Sequence, residues 1–523
     1  MTVPLSQPAP DGLSAAPQRP VWPQTVLAFA AAALVLAALA ITLPVDHDEG
    51  QYVAAAALAR RLVPYRDFAD LQTPLQLYLT APIAALAHGW AFIALRLTNA
   101  AMGLGELALI YAAQRRLGVG RRQALLAAGL LLLAYPFEFS SVVARNDALP
   151  SLLETGAMLA GLEGLRRERK GWPFWSLVGL LLGAAVSAKL SYVFPPAAVG
   201  LWLLWSAWRR RIGVADLAGF AAGGLLGLVP CLLAWLQAPE GFLWGVVTYA
   251  ETAPRAWYSW LGQGNRLSLP ARAMEGAFHL GVGPALAVFI GVILAAVRGR
   301  GAPPSPAVSL LQILALAGVA AAFAPSPMQR QYLAVLLPPL IVLWGVQDPP
   351  SRLAGAGRLV VRVLLVAGVA VGLGRIGYVL GDAALHWARG RPPPALALTA
   401  EAHWLGRVLT SRRLADPIGT LSPSAVLDSG LGLDPRFASG VFAYRTGDLV
   451  RDDQQARLHI LSPRTLARGL DARRPGALVT GFETPAGIHH RNADDDLRAY
   501  ARARGWPRLT SPDSAAEVWI RPR

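Results

Sequence analysis

With one cysteine, Cys231, in 523 residues, the chain cannot form an intramolecular disulfide, so it is no disulfide-held scaffold. Charge is scarce as well. Only 15% of residues are acidic or basic, against about a quarter in an ordinary soluble chain. Lysine is nearly missing, with Lys170 and Lys189 alone among 48 basic residues. No P-loop and no well-placed Gly-x-Gly-x-x-Gly turn occurs, which removes the usual nucleotide cradles. No coiled-coil, collagen or disordered class survives. What the chain has is apolar length: 54% hydrophobic residues, mean hydropathy +0.41, and runs such as 26–43 and 217–235. Each is close to the roughly 20 residues that cross a bilayer core, so the composition describes a polytopic α-helical membrane protein.

A net charge of +16 would suggest nucleic acid as partner in a soluble protein. Here the arginines stand in short clusters between apolar segments, which is how a membrane protein records its orientation, and no nucleic-acid partner is expected. About eleven spans are expected, centred near residues 33, 100, 130, 157, 181, 200, 225, 286, 315, 339 and 370. With the amino terminus inside, the inner connections collect Arg115, Arg116, Arg121 and Arg122, then Arg166, Arg167, Arg169 and Lys170, then Arg209 to Arg211. Arg298 and Arg300, and Arg352, Arg358 and Arg362, complete the series. The positive-inside bias therefore sets the topology: a multi-pass protein of the cytoplasmic (inner) membrane.

Residues 1–21 are rich in Pro, Ala, Ser and Gln and read as a disordered cytoplasmic lead. Residues 22–382 form the transmembrane domain with a first outer loop at 44–89, and 383–394, Pro-rich at its end, form a linker. Residues 395–523 are about a quarter charged, a soluble composition. With strand-like runs at 476–480 and 516–520 and a helix at 497–504, they predict a small extracytoplasmic α/β domain.

The chemistry is sought on the outer face. Asp46-His47-Asp48-Glu49-Gly50-Gln51-Tyr52 follows the first span directly. Acids favour a helix N-terminus, and a carboxylate held at the membrane surface would also serve as a general base. Asp46 and Asp48 also fit D-x-D, so a divalent cation there is a candidate, although no cofactor is required. The rest of the loop predicts one or two short interfacial helices. Arg145-Asn146-Asp147 opens the fourth span, where capping explains it as well as chemistry does. Lys189, ending the fifth, either snorkels to the headgroups or offers a point charge to a phosphate. The outer connection 239–275 places Trp244, Tyr249, Trp257, Tyr258 and Trp260 beside Glu251, Arg255 and Arg266, an interfacial anchor or a lid. His489-His490 with Asp494 to Asp496 has no defined metal spacing.

In order and membrane side, Asp48-Glu49-x-x-Tyr52, the motif opening the fourth span and Ala188-Lys189 resemble the GT-C membrane glycosyltransferases. The similar group is that of the protein O-mannosyltransferases, the lipid A aminoarabinose transferases and bacterial lipopolysaccharide-core sugar transferases. Gln331-Tyr332-Leu333 with Pro338-Pro339 is similar to the family's tyrosine-to-proline helix. The resemblance implies a polyprenyl-phosphate-linked sugar as donor and an envelope glycan, lipid or protein as acceptor, handled among membrane lipids. It implies catalytic roles for Asp48, as the acid that orients or deprotonates the acceptor hydroxyl, and Asp147, as a second acid at the sugar. Lys189 would bind the donor phosphate, helped by Arg145, Arg255 or Arg330, and Asp46, Glu49, Tyr52, Glu251 and Tyr332 complete the substrate-binding set. Inversion at the anomeric carbon is expected. The Glu-Lys-Pro-Pro of the aminoarabinose transferases is replaced by Gln72-Thr73-Pro74-Leu75, which argues against a lipid A phosphate acceptor. The competing expectation is a transporter or flippase of lipid-linked sugars, with Glu106 and Glu163 on its path.

Overall fold

The computed structural model describes residues 22–167, 171–298, 304–414, 417–486, 491–512 and 514–522. The amino-terminal lead, Arg169, Lys170, Arg300 and the His489-His490 pair lie outside them.

Apolar runs interrupted by Gly, Pro and charge give helices at all eleven expected centres. They are α1 (Trp22–Thr42), then α2 (Glu49–Leu58) and α3 (Leu75–Leu86) in the first outer loop, and α4 (Ala91–Arg116). Next come α5 (Arg121–Leu132), α6 (Tyr135–Val142), α7 (Ala148–Arg166), α8 (Trp172–Ala188), α9 (Phe194–Trp208), α10 (Val214–Gly227) and α11 (Val229–Gln237). A short α12 (Pro239–Leu243) leads to α13 (Tyr249–Trp260), followed by α14 (Leu269–Gly281), α15 (Ala285–Arg298), α16 (Pro306–Phe323) and α17 (Leu337–Gln347). α18 (Pro349–Arg352), the 34-residue α19 (Gly355–Ala388) and α20 (Pro394–Ser411) complete the series.

Among the described residues, five helices are long and apolar enough to cross a membrane, and three bent pairs raise the number to eight. The bends have local causes. α5 and α6 meet at 72° just before Pro136, and α14 and α15 at 106° across Val282-Gly283-Pro284. Gly283 has φ +130°, and a Cβ there would meet the Leu133 carbonyl oxygen at 2.5 Å. The remaining centres fall on α7, α8 and α17, the last of only 11 residues after a 3₁₀ segment Arg330–Leu336.

α8 and α10 pack backbone to backbone. A Cβ on Gly179 would meet the Phe220 carbonyl oxygen at 2.0 Å, and one on Gly223 the Ser176 carbonyl oxygen at 2.0 Å. Small residues four apart on both helices, Gly179 with Gly183 and Gly223 with Gly227, permit that approach. The contact fixes the end of α8, where Lys189 stands.

Residues 394–522 carry a four-stranded sheet in the order β1-β2-β4-β3, with β1 (Ile418–Thr420) parallel to β2 (Ala477–Thr480). β4 (Glu517–Ile520) runs antiparallel to both β2 and β3 (Arg508–Thr510). Both faces of the sheet are buried, with Ile418, Val479 and Val518 on one face and Leu478 and Trp519 on the other. This unit sits on the first outer loop. Asp428 accepts a hydrogen bond from the Ala91 backbone N–H at 2.7 Å, occupying the start of α4, and Ser439 Oγ donates to the Ala69 carbonyl at 3.0 Å.

Candidate active site

The site starts from the turn between α6 and α7. Asn99, buried on α4, donates from Nδ2 to the carbonyls of Val143, at 2.5 Å, and Arg145, at 2.8 Å. Asn146 donates to the Ala188 carbonyl and to Gln72 Oε1, each at 3.0 Å. The turn is thereby tied to the end of α8 and to the first outer loop, and Arg145, 4% exposed, is aimed at the carboxylates.

Arg145 is the hub. Its Nη1 lies 2.9 Å from Asp46 Oδ1 and is also paired with Asp48 Oδ2, and its Nε lies 3.0 Å from Asp147 Oδ2. The other oxygen of Asp147 pairs with Lys189 Nζ. The result is one alternating row, Asp48, Arg145, Asp147, Lys189, bringing together three stretches of chain. Arg330 extends it, with Nη2 3.4 Å from Asp46 Oδ2, its Nη1 paired with the Tyr135 hydroxyl and its guanidinium 3.7 Å over the Phe139 ring. Tyr332 lies 5.3 Å from Lys189 Nζ, and Tyr52 5.5 Å from the Arg145 guanidinium, both ring faces towards a cation.

Burial pushes the Asp48 carboxyl upwards, but the Arg145 charge and hydrogen bond outweigh it and leave the group below the usual carboxylate range. Asp48 is therefore ionised at neutral pH. Its side chain is 31% exposed, whereas Asp147 is 1% exposed. Asp147 is enclosed between two cations, so it positions Arg145 and Lys189 and has no free edge for a sugar.

Three expected substrate contacts are corrected. Glu49 is fully buried, with Oε1 2.7 Å from Arg96 Nε and Oε2 2.6 Å from Arg96 Nη2, and it also accepts from the Ala144 and Asp46 backbone N–H groups. A carboxylate satisfied on every side is a brace for the loop. Glu251 and Arg255 share an exposed face of α13, while Ala256, Trp257 and Trp260 turn towards the cavity. Helical spacing puts residues 251 and 255 together and away from 253 and 257. Glu163, expected on a transport path, is claimed by Arg116 at 2.9 Å near the far end of the bundle.

The sequence reading missed three participants. Arg96 lies within a span and its partner is 47 residues away. His47 lies in the acidic motif itself, with Nε2 2.9 Å from Glu483 of the C-terminal unit. Arg445, on the helix Val441–Thr446, has no local motif to mark it.

The row adjoins a cavity of about 1410 Å³ through Asp46, which lines it and pairs with Arg145. Asp46, His47 and Gln51 form one wall, Trp257 and Trp260 of α13 another, and Trp404, Phe442 and Arg445 of the C-terminal unit the third. For a divalent cation the donor set is a poor fit. Asp46 and Asp48 both point at one nitrogen of Arg145, and among the described residues no three His, Cys, Asp or Glu side chains gather. A guanidinium stands where the ion would.

Comparison with known proteins supports the architecture. Residues 71–235 match the family described as dolichyl-phosphate-mannose-protein mannosyltransferase. ArnT from Cupriavidus metallidurans bound to undecaprenyl phosphate superposes with a TM-score of 0.59 at 15% identity, covering 95% of this chain and 97% of that one. Its apo form gives 0.58 at the same identity and coverage. The Archaeoglobus fulgidus oligosaccharyltransferase tethered to an acceptor peptide gives 0.50 at 11% identity, over 95% of this chain and 74% of that one. No curated protein sequence matches significantly. The fold is that of the GT-C membrane glycosyltransferases of the ArnT and protein-mannosyltransferase type.

Proposed function

We propose that this protein transfers a sugar from a polyprenyl-phosphate-sugar donor to a hydroxyl of an envelope glycan, lipid or protein, at the outer face of the cytoplasmic membrane. The observation that carries the reading is the row Asp48, Arg145, Asp147, Lys189 beside a large cavity. The row stands at the end of the bundle remote from Arg115, Arg116 and Arg209 to Arg211, and the positive-inside bias makes that end the outer one.

The chemistry follows from charge. When the bond between the anomeric carbon and the phosphate oxygen breaks, a phosphodiester of charge about −1 becomes a monoester of about −1.5 to −2. Fixed cations gain interaction energy as that charge grows, which is stabilisation specific to the transition state. Lys189 supplies a compact ammonium for the leaving phosphate, and Arg330 and Arg145 share the load. The acceptor oxygen bonds to the anomeric carbon from the opposite face, its proton passes to Asp48, and the configuration inverts. Asp147 holds the two cations at the separation the row requires. The undecaprenyl phosphate bound by the similarly folded ArnT supports a lipid-phosphate carrier as the donor class.

The test is Asp48→Asn in membranes supplied with labelled polyprenyl-phosphate sugar. Transfer should fall by about 10² to 10⁴, the usual contribution of a general base, with expression unchanged. Undiminished transfer would overturn the assignment of Asp48. If the parent moved lipid-linked sugar across vesicles without attaching it to any acceptor, the transferase reading itself would fall.

A further inference from the structure

Each carboxylate on the cavity wall has at least one partner. Asp46 holds Arg145, Glu483 accepts from Ser422 Oγ at 2.5 Å and pairs with His47, and Asp496 pairs with Arg491 at 2.7 Å. Glu401 accepts from Ser511 Oγ at 3.1 Å, and Asp448 accepts from the Arg464 backbone N–H at 3.4 Å. Three of the arginines on that wall are not paired. Arg391, Arg407 and Arg445 line the same cavity, and among the described residues none of their guanidinium groups has a carboxylate partner.

Arg445 is the innermost of the three. Its guanidinium lies 4.0 Å from the Trp257 ring centre and 4.6 Å from that of Phe442, within cation–π range of both. Its Nε is shut off from solvent without a hydrogen-bond partner. Burial pushes this group below its ordinary value, and its charge reaches both His47 and Asp48. A largely buried cation without a paired carboxylate is unfavourable, and a planar fork with open donor sites suits an oxyanion.

We propose that Arg445, backed at the mouth by Arg391 and Arg407, forms an anion subsite through which the C-terminal unit binds a phosphate or carboxylate group of the acceptor. The subsite differs from the donor-phosphate position. Lys189 and Arg145 sit at the helix ends and do not line this cavity, whereas Arg445 of the C-terminal unit does. A cavity of about 1410 Å³ exceeds the roughly 300–1,000 Å³ of ordinary small-molecule pockets, leaving room for a large head group that carries charge away from its reacting hydroxyl. Only the word acceptor rests on the transferase reading. The anion subsite stands on the unpaired arginines.

The experiment uses the full chain in phosphatidylcholine nanodiscs, with inorganic pyrophosphate as probe of the subsite and undecaprenyl phosphate as probe of the donor side. Pyrophosphate should bind in the presence of saturating undecaprenyl phosphate, weaken with added salt, and lose about tenfold or more in affinity in Arg445→Gln, the equivalent of one charge-assisted contact. Arg445→Lys should recover part of that loss, and undecaprenyl phosphate affinity should stay within about twofold in both variants while Lys189→Ala weakens it. Pyrophosphate binding that is absent, or unchanged in Arg445→Gln, overturns the proposal. So does loss of undecaprenyl phosphate affinity in Arg445→Gln with Lys189→Ala unaffected, which would assign the arginine to the donor. A matched thermal unfolding midpoint for Arg445→Lys separates these outcomes from misfolding. Because no transfer is measured, failure here leaves the Asp48 result standing, and failure there leaves this one.

Discussion

Asp48 and Asp147 are both aspartates touching Arg145, yet their surroundings give them different work. Asp48 keeps an accessible edge and a depressed pKa, whereas Asp147 is closed between Arg145 and Lys189. The rate that depends on ionised Asp48 should therefore stay level from pH 8 down through the ordinary Asp value of about 3.9 and fall only below it. An acidic limb with its midpoint near pH 6 would contradict the Arg145 contact. The same shift carries a stability contribution, present above the unfolded-state pKa and lost as pH falls through the lower folded-state value. For Lys189, replacement by alanine should lower kcat by about 10² to 10³, as removal of a preorganised charge-stabilising donor does elsewhere, and Lys189→Arg should restore part of it. A change confined to KM would show that the ammonium only binds the donor. These roles were half legible in the sequence. The rarity of lysine singled out Lys189, and the acidic motif singled out Asp48. Glu49 reads as a substrate contact in the sequence because its partner Arg96 lies in a span where no local pattern announces it.

At the scale of elements, the site depends on helices that end at the right height. α8, which ends before Lys189, packs against α10 through glycines, and no side chain intervenes at Gly179 or Gly223. Gly223→Leu should force the helices apart at the Ser176 carbonyl, costing at least the roughly 1–3 kcal/mol typical of overpacking. The expected readout is a lower unfolding midpoint in detergent together with reduced transfer. Gly129, where a Cβ meets nothing within 4 Å, serves as the control, and its alanine variant should behave as the parent. If Gly223→Leu kept both midpoint and rate, the close approach of α8 and α10 would be wrong. Apolar length made these helices readable, but the bends did not follow from it. The 106° turn between α14 and α15 needs Gly283 to pass against the Leu133 carbonyl, a contact some 150 residues distant in sequence. Likewise α13 was recognisable as an aromatic stretch, while which of its faces looked inward was fixed only by packing against Arg445 and the cavity.

The whole molecule joins the helical bundle to the C-terminal unit across the acidic motif itself, since His47, next to Asp48, reaches Glu483. Composition separated the two parts of the chain, but their docking rests on pairs hundreds of residues apart, such as Asp428 on Ala91 and Arg457 on Glu240 at 3.2 Å. Burial pulls the His47 imidazole down, and the Glu483 hydrogen bond and charge more than reverse this, so the folded-state pKa is raised. A raised pKa contributes stability that is full below the unfolded value of about 6.5 and is lost as pH rises through the folded value. The junction should therefore be tighter in acid. Amide exchange over residues 45–51 and 418–424, corrected for its intrinsic pH dependence, should be slower at pH 6 than at pH 9. Glu483→Gln removes the charge that raises His47, so this difference should shrink to near zero while exchange within β2 and β4 stays as in the parent. Equal corrected exchange at the two pH values in the parent would mean that His47 does not hold the soluble unit against the loop. Because Asp46 and Arg445 line the same cavity beside this junction, loosening it should also weaken pyrophosphate binding at high pH, coupling the domain contact to that cavity.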